Sequence, residues 1–177
     1  RIADIPVSEI RTHLREPGGF VWVAIKDPEP EELSQLQEEF DLHPLAVEDA
    51  RNGHQRPRVE EYGTSLFVVL HLVERRGDDL EVAEVAVFVG PQYIVSVRSK
   101  AAVGFADVRS RCEHEPELLR HGPAYVLYAL MDAVVDRYFP LIDTLTREIE
   151  EIEDRIFASQ TTRETIEALY TFKQRLM

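Results

Sequence analysis

The chain has 177 residues, of which 44% are hydrophobic, so it can bury a core as one domain or as a domain with an appendage. Its 33 acidic residues outnumber its 20 Lys and Arg residues and give a formal net charge of -13, which repels nucleic-acid phosphates and attracts cations. We therefore expect cations, and no nucleic acid, among its partners.

The N-terminal part predicts a buried strand followed by two helices. Residues 20–25 are apolar, β-branched or aromatic and are bounded by turn residues, as is typical of a buried strand. A helix is predicted from Pro30, because apolar residues then recur at spacings of three and four up to Phe40. A second, shorter helix is predicted from Pro44 to the Asn-Gly pair at 52–53.

Three further strands are predicted at 65–73, 80–89 and 93–98, where β-branched and aromatic residues are dense. Short turn segments separate them in the sequence, so an antiparallel meander within a mixed sheet is the simplest arrangement. Strands and helices in this order predict an α+β fold.

Beyond the last strand the pattern is helical. Gly122 and Pro123 mark the end of one helix and the start of a long one, and Pro140 is expected to bend that helix or to start a new segment. Thr161 and Glu164 form a capping-box pattern, which predicts a last helix running antiparallel to the long one.

These patterns predict two parts, an α/β domain at 1–122 and an acidic helical hairpin at 123–177. The chain begins at Arg1 and not at Met, and it stops at Met177 within a helical pattern, so we expect a fragment of a longer protein. No window of the sequence reaches the roughly 20 apolar residues that a membrane-spanning helix needs.

The sequence contains no recognised catalytic motif. Phosphate-binding glycine loops (GxxxxGK[ST] and GxGxxG), the GxSxG nucleophile elbow and the HExxH zinc helix are all absent. The six histidines lack metal-ligand spacing, and Cys112 is expected to be a buried thiol in a reducing compartment. We therefore expect that the protein is not an enzyme and that it has neither catalytic nor cofactor-binding residues.

Two acidic pairs are candidate sites for a metal ion. Glu48 and Asp49 lie in the short helix, where the helix dipole alone also accounts for them. Asp132 and Asp136 lie four residues apart on one helix face, where like charges cost about 0.2–0.5 kcal/mol unless a cation or a base such as Arg137 intervenes. The second pair is either a solvated face or, because it offers only oxygen ligands, a site for a hard ion such as Mg²⁺.

The run HPLAVEDARNGHQRPRVE at 43–60 resembles the most recognisable stretch of the cytosolic domain of the CorA family. The strand SLFVVLHLV that follows it, and the helix YVLYALMDAVVDRYFPLIDTLTREIEEIED, support the resemblance in the same order. The resemblance covers essentially the whole chain.

The resemblance implies a fold and a function. CorA proteins are homopentameric channels for Mg²⁺, and also for Co²⁺ or Ni²⁺, in the cell (inner) membrane. This segment would lie on the cytoplasmic side as an α/β/α sandwich with a mixed, largely antiparallel sheet. Its C-terminal antiparallel helix pair would lead to a stalk helix and two membrane helices, with a Gly-Met-Asn motif at the pore mouth, none of which is present in the chain.

By the same resemblance, Glu48, Asp49, Asp132 and Asp136 correspond to regulatory metal ligands between neighbouring protomers. The remaining ligands would lie on the stalk, beyond Met177. Mg²⁺ that bridges protomers would favour the closed state. A ZntB-like zinc transporter domain and a stand-alone acidic binding module are the alternatives.

Overall fold

A computed structural model describes residues 9–14, 18–77, 79–158 and 162–176, and shows an α+β fold with a five-stranded sheet. The strands are β1 (Val21–Lys26), β2 (Arg58–Tyr62), β3 (Ser65–Arg76), β4 (Asp79–Val89) and β5 (Tyr93–Ser99). The helices are α1 (Ile10–His13), α2 (Pro30–Phe40), α3 (Pro44–Asn52), α4 (Ala106–His114), α5 (Pro116–Leu119), α6 (Pro123–Phe157) and α7 (Arg163–Leu176).

The strands are arranged in the order β1-β5-β4-β3-β2. Strand β5 pairs in parallel with β1, with Val21 opposite Tyr93, and antiparallel with β4, with Val89 opposite Ile94. At the far edge β2 pairs antiparallel with β3. The sheet is therefore mixed, as the sequence predicted, although β2 was not predicted because its residues RVEEY are mostly charged.

One face of the sheet packs against α1, α2 and α3. The shared core contains Leu36 and Phe40 from α2, Val47 from α3, and Phe88 and Val95 from the sheet. Phe40 packs against Tyr93 with ring centroids 5.1 Å apart. Burial of these apolar side chains positions the short helix α3 on the sheet.

The opposite face of the sheet is also buried. Strand residues that alternate with the first set, such as Val87 and Ile94, are 0% exposed, so helices must cover them too. Helix α4 contributes buried Cys112, and the first half of α6 contributes Val126 and Leu130. Helices thus lie on both faces, which is the predicted α/β/α arrangement.

The backbone divides into two compact units, residues 1–72 with 83–134 and residues 73–82 with 135–177. The first unit holds both helical layers and most of the sheet. The second holds the adjoining ends of β3 and β4, the rest of α6 and all of α7. The division at 1–122 and 123–177 stays a prediction.

Within the second unit, α6 and α7 form the predicted antiparallel pair. Glu148 on α6 accepts hydrogen bonds from Arg175 on α7 and from Arg75 on β3, the latter at 3.2 Å. Ile152 and Phe172 are buried, 5% and 7% exposed. These contacts place the end of α7 beside the C-terminal third of α6.

The structure refines two details of the predicted helix pair. Pro140 was expected to bend α6 or to start a new segment, and α6 runs continuously through it, so no new segment starts there. The hydroxyl oxygen of Thr162 accepts a hydrogen bond from the Thr165 amide at 3.4 Å, so Thr162 caps α7. Thr161, the predicted cap, lies outside the described residues, and the observed cap is one residue later.

Replacing Leu130 tests the second face of the core. Leu130 is 0% exposed, whereas its neighbour Met131 is 41% exposed. We expect Leu130→Ala to lower the free energy of unfolding by about 2–5 kcal/mol, because transfer free energy is lost and a cavity remains. Met131→Ala, the matched control, should cost less than about 1 kcal/mol. Urea denaturation measures both, and equal losses would contradict the burial described.

Candidate metal-binding carboxylates

Glu48 and Asp49 are presented by α3, which begins with Pro44 in its first turn. Ala46 and Val47 are buried, and this fixes which face of α3 is turned away from solvent. Glu48 is exposed and makes no hydrogen bond or ion pair with the described part of the chain. Asp49 is half-buried, and one of its carboxylate oxygens lies 2.6 Å from the guanidinium of Arg58.

Arg58 contacts three other groups besides Asp49. It donates a hydrogen bond to the Gln55 side chain at 2.7 Å, lies 3.0 Å from Glu60, and covers the Phe67 ring at 5.8 Å from its centroid. Arg58 therefore links α3, the loop that follows it and the sheet.

The loop that leads to Arg58 is held to the sheet by its backbone. Helix α3 ends at Gly53, whose φ of 62° and ψ of -163° are essentially restricted to glycine. The Gln55 amide then donates to Glu84 at 2.9 Å. The Gln55 carbonyl lies 2.7 Å from Nε2 of His71, which donates because a carbonyl only accepts. These bonds fix the start of β2 and therefore the position of Arg58.

Asp132, on α6, is paired in the same way with Arg111, on α4, at 2.6 Å. Arg111 also lies 3.8 Å from Glu115, which accepts a hydrogen bond from the hydroxyl of Tyr125. The hydrogen bond that Arg111 donates to Asp132 raises the pKa of Arg111, so its guanidinium remains charged.

Asp136 is exposed and has no ion pair or hydrogen bond among the described residues. The sequence suggested Arg137 as the base near Asp132 and Asp136, whereas the structure pairs Asp132 with Arg111. Arg111 is 21 residues away in sequence and reaches Asp132 only because α4 and the start of α6 cover the same face of the sheet.

The four carboxylates fit Mg²⁺ in donor type and not in number. Hard divalent ions take about six or more oxygen ligands, some of them water. Among the described residues, no group of three or more His, Cys, Asp or Glu could hold a metal ion. In addition, Asp49 and Asp132 each already accept a guanidinium. The described residues of one chain therefore do not bring together a complete site.

The family model described as CorA-like Mg²⁺ transporter protein matches residues 17–177. The chain belongs to the CorA family. The cobalt/magnesium transport protein CorA of Thermotoga maritima is 30% identical over 148 residues, which cover 82% of this chain and 42% of that protein. The chain thus spans less than half the length of this CorA relative. The CorA family is a family of transporters and is not a class of enzymes.

Solved structures share the fold. The soluble domain of CorA from Methanocaldococcus jannaschii superposes with a TM-score of 0.66 at 19% identity, over 99% of this chain and 67% of that one. The ZntB cytoplasmic domain from Vibrio parahaemolyticus superposes with a TM-score of 0.57 at 12% identity, over 86% of this chain and 62% of that one. The chain therefore shares its fold with both of these domains.

In the part of the CorA chain that the structure describes, none of the helices combines the length and apolar composition needed to cross a bilayer.

The four candidate acidic residues were visible in the sequence, but sequence reasoning missed Arg58 and Arg111 as the partners of Asp49 and Asp132. The pattern RPR next to an acidic helix was a signal for Arg58. Arg111 had no signal, because its pairing depends on tertiary packing.

The Tyr125 hydroxyl should titrate above the ordinary tyrosine value of 10.0. Its hydrogen bond to Glu115, then its burial, raise the pKa of Tyr125 to about 12. Since this pKa is higher in the folded chain, the neutral hydroxyl contributes stability that is fully present below pH 10.0 and is lost as the pH rises through about 12.

Tyrosinate absorbance, taken as the difference from Tyr125→Phe, measures this titration. Glu115→Gln should lower the pKa of Tyr125, because the charged acceptor is lost. Glu113→Gln, two residues earlier in the sequence, is the control and should leave it unchanged. Identical titration curves for the parent and Glu115→Gln would contradict the role assigned to Glu115.

Proposed function

We propose that this chain is the cytoplasmic metal-sensing domain of a divalent cation transport channel in the cell membrane. The transported and regulatory ion is Mg²⁺, with Co²⁺ as a second substrate, and the complete protein is a homopentamer. The observation that carries the proposal is the family match, which extends over residues 17–177. The name of the Thermotoga maritima relative, a cobalt/magnesium transport protein, supports the choice of ions.

The charge of the chain supports a sensing role. A net charge of -13 makes neighbouring copies repel one another unless cations accumulate between them. Glu48 and Asp136 are exposed carboxylates without a partner among the described residues, so they are available to an ion held jointly with another copy. Asp49 and Asp132 complete the proposed contacts, and the further ligands come from outside this chain.

In this proposal, a bound ion supplies positive charge that offsets the repulsion between protomers. When Mg²⁺ is abundant, carboxylates of neighbouring copies are held together and the closed state is favoured. When Mg²⁺ falls, repulsion between Glu48, Asp49, Asp132 and Asp136 of neighbouring copies favours the open state. The domains at 1–122 and 123–177 would carry one acidic pair each. Few and partly hydrated oxygen contacts suit a weak sensor.

Uptake by the complete protein in lipid vesicles tests the transport activity. We expect Mg²⁺ and Co²⁺ to enter vesicles that contain the protein, and Zn²⁺ to enter more slowly. Preferential Zn²⁺ entry would overturn the choice of ion and favour the ZntB-like alternative. Absence of uptake of all three ions would overturn the channel proposal and leave an acidic binding module.

Neutralising the proposed contacts should relieve repression by internal Mg²⁺. We expect the double variant Asp49→Asn with Asp136→Asn to need about five- to tenfold more internal Mg²⁺ for half-repression, the lower range of coupling between two linked sites. The control is Glu31→Gln with Glu117→Gln, which removes the same charge from exposed helix positions. Equal repression of the parent and the Asp49/Asp136 variant would contradict the sensing role.

A further inference from the structure

We propose that α7 is a latch helix, a helix that docks and is released as a unit, and that the carboxylate of Glu148 controls its release. Three elements meet at this carboxylate, because α6 supplies Glu148, α7 supplies Arg175 and β3 supplies Arg75. All three residues belong to the second compact unit. The inference concerns the motion of one helix and goes beyond the proposed function, so its failure would leave the transport proposal intact.

Helix α7 is attached to its unit by few buried side chains. Of its 14 residues only Thr165 and Phe172 are buried, whereas Ile166, Leu169 and Tyr170 are between 41% and 61% exposed. An element that buries little apolar surface opens at a low cost in free energy. We therefore expect α7 to undock more readily than the buried strands unfold.

A released α7 should also lose its helical structure. Isolated helices of up to about 12–15 residues are marginal in water. The local contacts of α7 include the Thr162 cap and the exposed ion pair between Arg163 and Glu167 at 2.7 Å. Contacts of this kind contribute little to a helix that has lost its packing. Undocking and loss of helix should therefore occur together.

Arg175 joins an ionic contact of α7 to its apolar contact. Its guanidinium donates a hydrogen bond to Oε2 of Glu148 and lies over the ring of Phe172, 5.5 Å from the ring centroid. The side chains of Arg175 and Glu148 are 17% and 25% exposed, so salt screens this pair less than a fully exposed one. Loss of the Glu148 charge would remove the counter-ion of a largely buried guanidinium, and undocking would relieve that cost because water then reaches Arg175.

Arg75 holds the same carboxylate from the sheet. One of its terminal nitrogens lies 3.2 Å from Oε1 of Glu148, and its Nε donates to the Gly77 carbonyl at 2.8 Å, so the turn after β3 orients it. The two arginines use different oxygens of one carboxylate, and both can therefore bind at the same time. Arg75 thus positions Glu148 for Arg175 and couples the end of β3 to α7.

Hydrogen–deuterium exchange of the purified protein tests the latch. We expect Glu148→Gln to speed exchange of the α7 amides about five- to thirtyfold, the factor that corresponds to loss of a charge-assisted hydrogen bond. Amides of the buried strand β5 should exchange as in the parent. Glu150→Gln is the matched control, since it removes the same charge from an exposed position of α6. It should change α7 exchange by less than about twofold.

Arginine variants test the coupling, and they decide the proposal even if Glu148→Gln does not fold. Arg175→Gln should speed α7 exchange as much as Glu148→Gln, and Arg175→Lys should restore part of the protection because the charge is kept. Arg75→Gln should speed it about two- to fivefold, and should add little in the Glu148→Gln background, since contacts to a shared group are not additive. Arg76→Gln is the control, because Arg76 pairs with Glu81 instead.

Each outcome decides the proposal. Faster exchange confined to α7 in Glu148→Gln and Arg175→Gln supports it, and unchanged α7 exchange in both would overturn it. Equal acceleration in α7 and β5 would overturn it as well, because α7 would then open only when the whole chain unfolds. Equal acceleration in Glu150→Gln would show an effect of net charge only and would also overturn it. Full additivity of Arg75→Gln and Glu148→Gln would overturn the coupling to β3.

Discussion

Strands β4 and β5 are buried on both faces, and this constraint determines where the acidic residues lie. Val87, Ile94 and Val95 are 0% exposed, so the sheet needs a helical layer on each side. Helices α1, α2 and α3 cover one face, and α4 and the first half of α6 cover the other. Glu48 and Asp49 consequently lie in one layer and Asp132 in the other, and the same packing pairs Asp49 with Arg58 and Asp132 with Arg111.

The electrostatics follow from this packing. The chain has a net charge of -13, and arginines lie beside Asp49 and Asp132. Glu48 and Asp136 are exposed. Local pairing thus separates the four residues into two that are already neutralised and two that are not.

Local sequence signals predicted much of the fold. The strands β1, β3, β4 and β5 and the helices α2 and α3 follow from apolar spacing and from Pro and Gly at their ends. Strand β2 could not be predicted, because an edge strand with the residues RVEEY has no apolar alternation. Among the site residues, the acidic pairs are visible in sequence, but the partner of Asp132 is not, since Arg111 meets it only through packing of α4 and α6 on one sheet face.

The proposal that this CorA-family chain is one domain of a membrane channel is tested most directly by determining the coding sequence beyond residue 177. We expect that sequence to encode a long charged helix and then two apolar segments of roughly 20 residues, the length that spans a bilayer. A stop codon within a few residues of Met177 would contradict it. The chain would then be an acidic binding protein, and the transport proposal would have to be withdrawn.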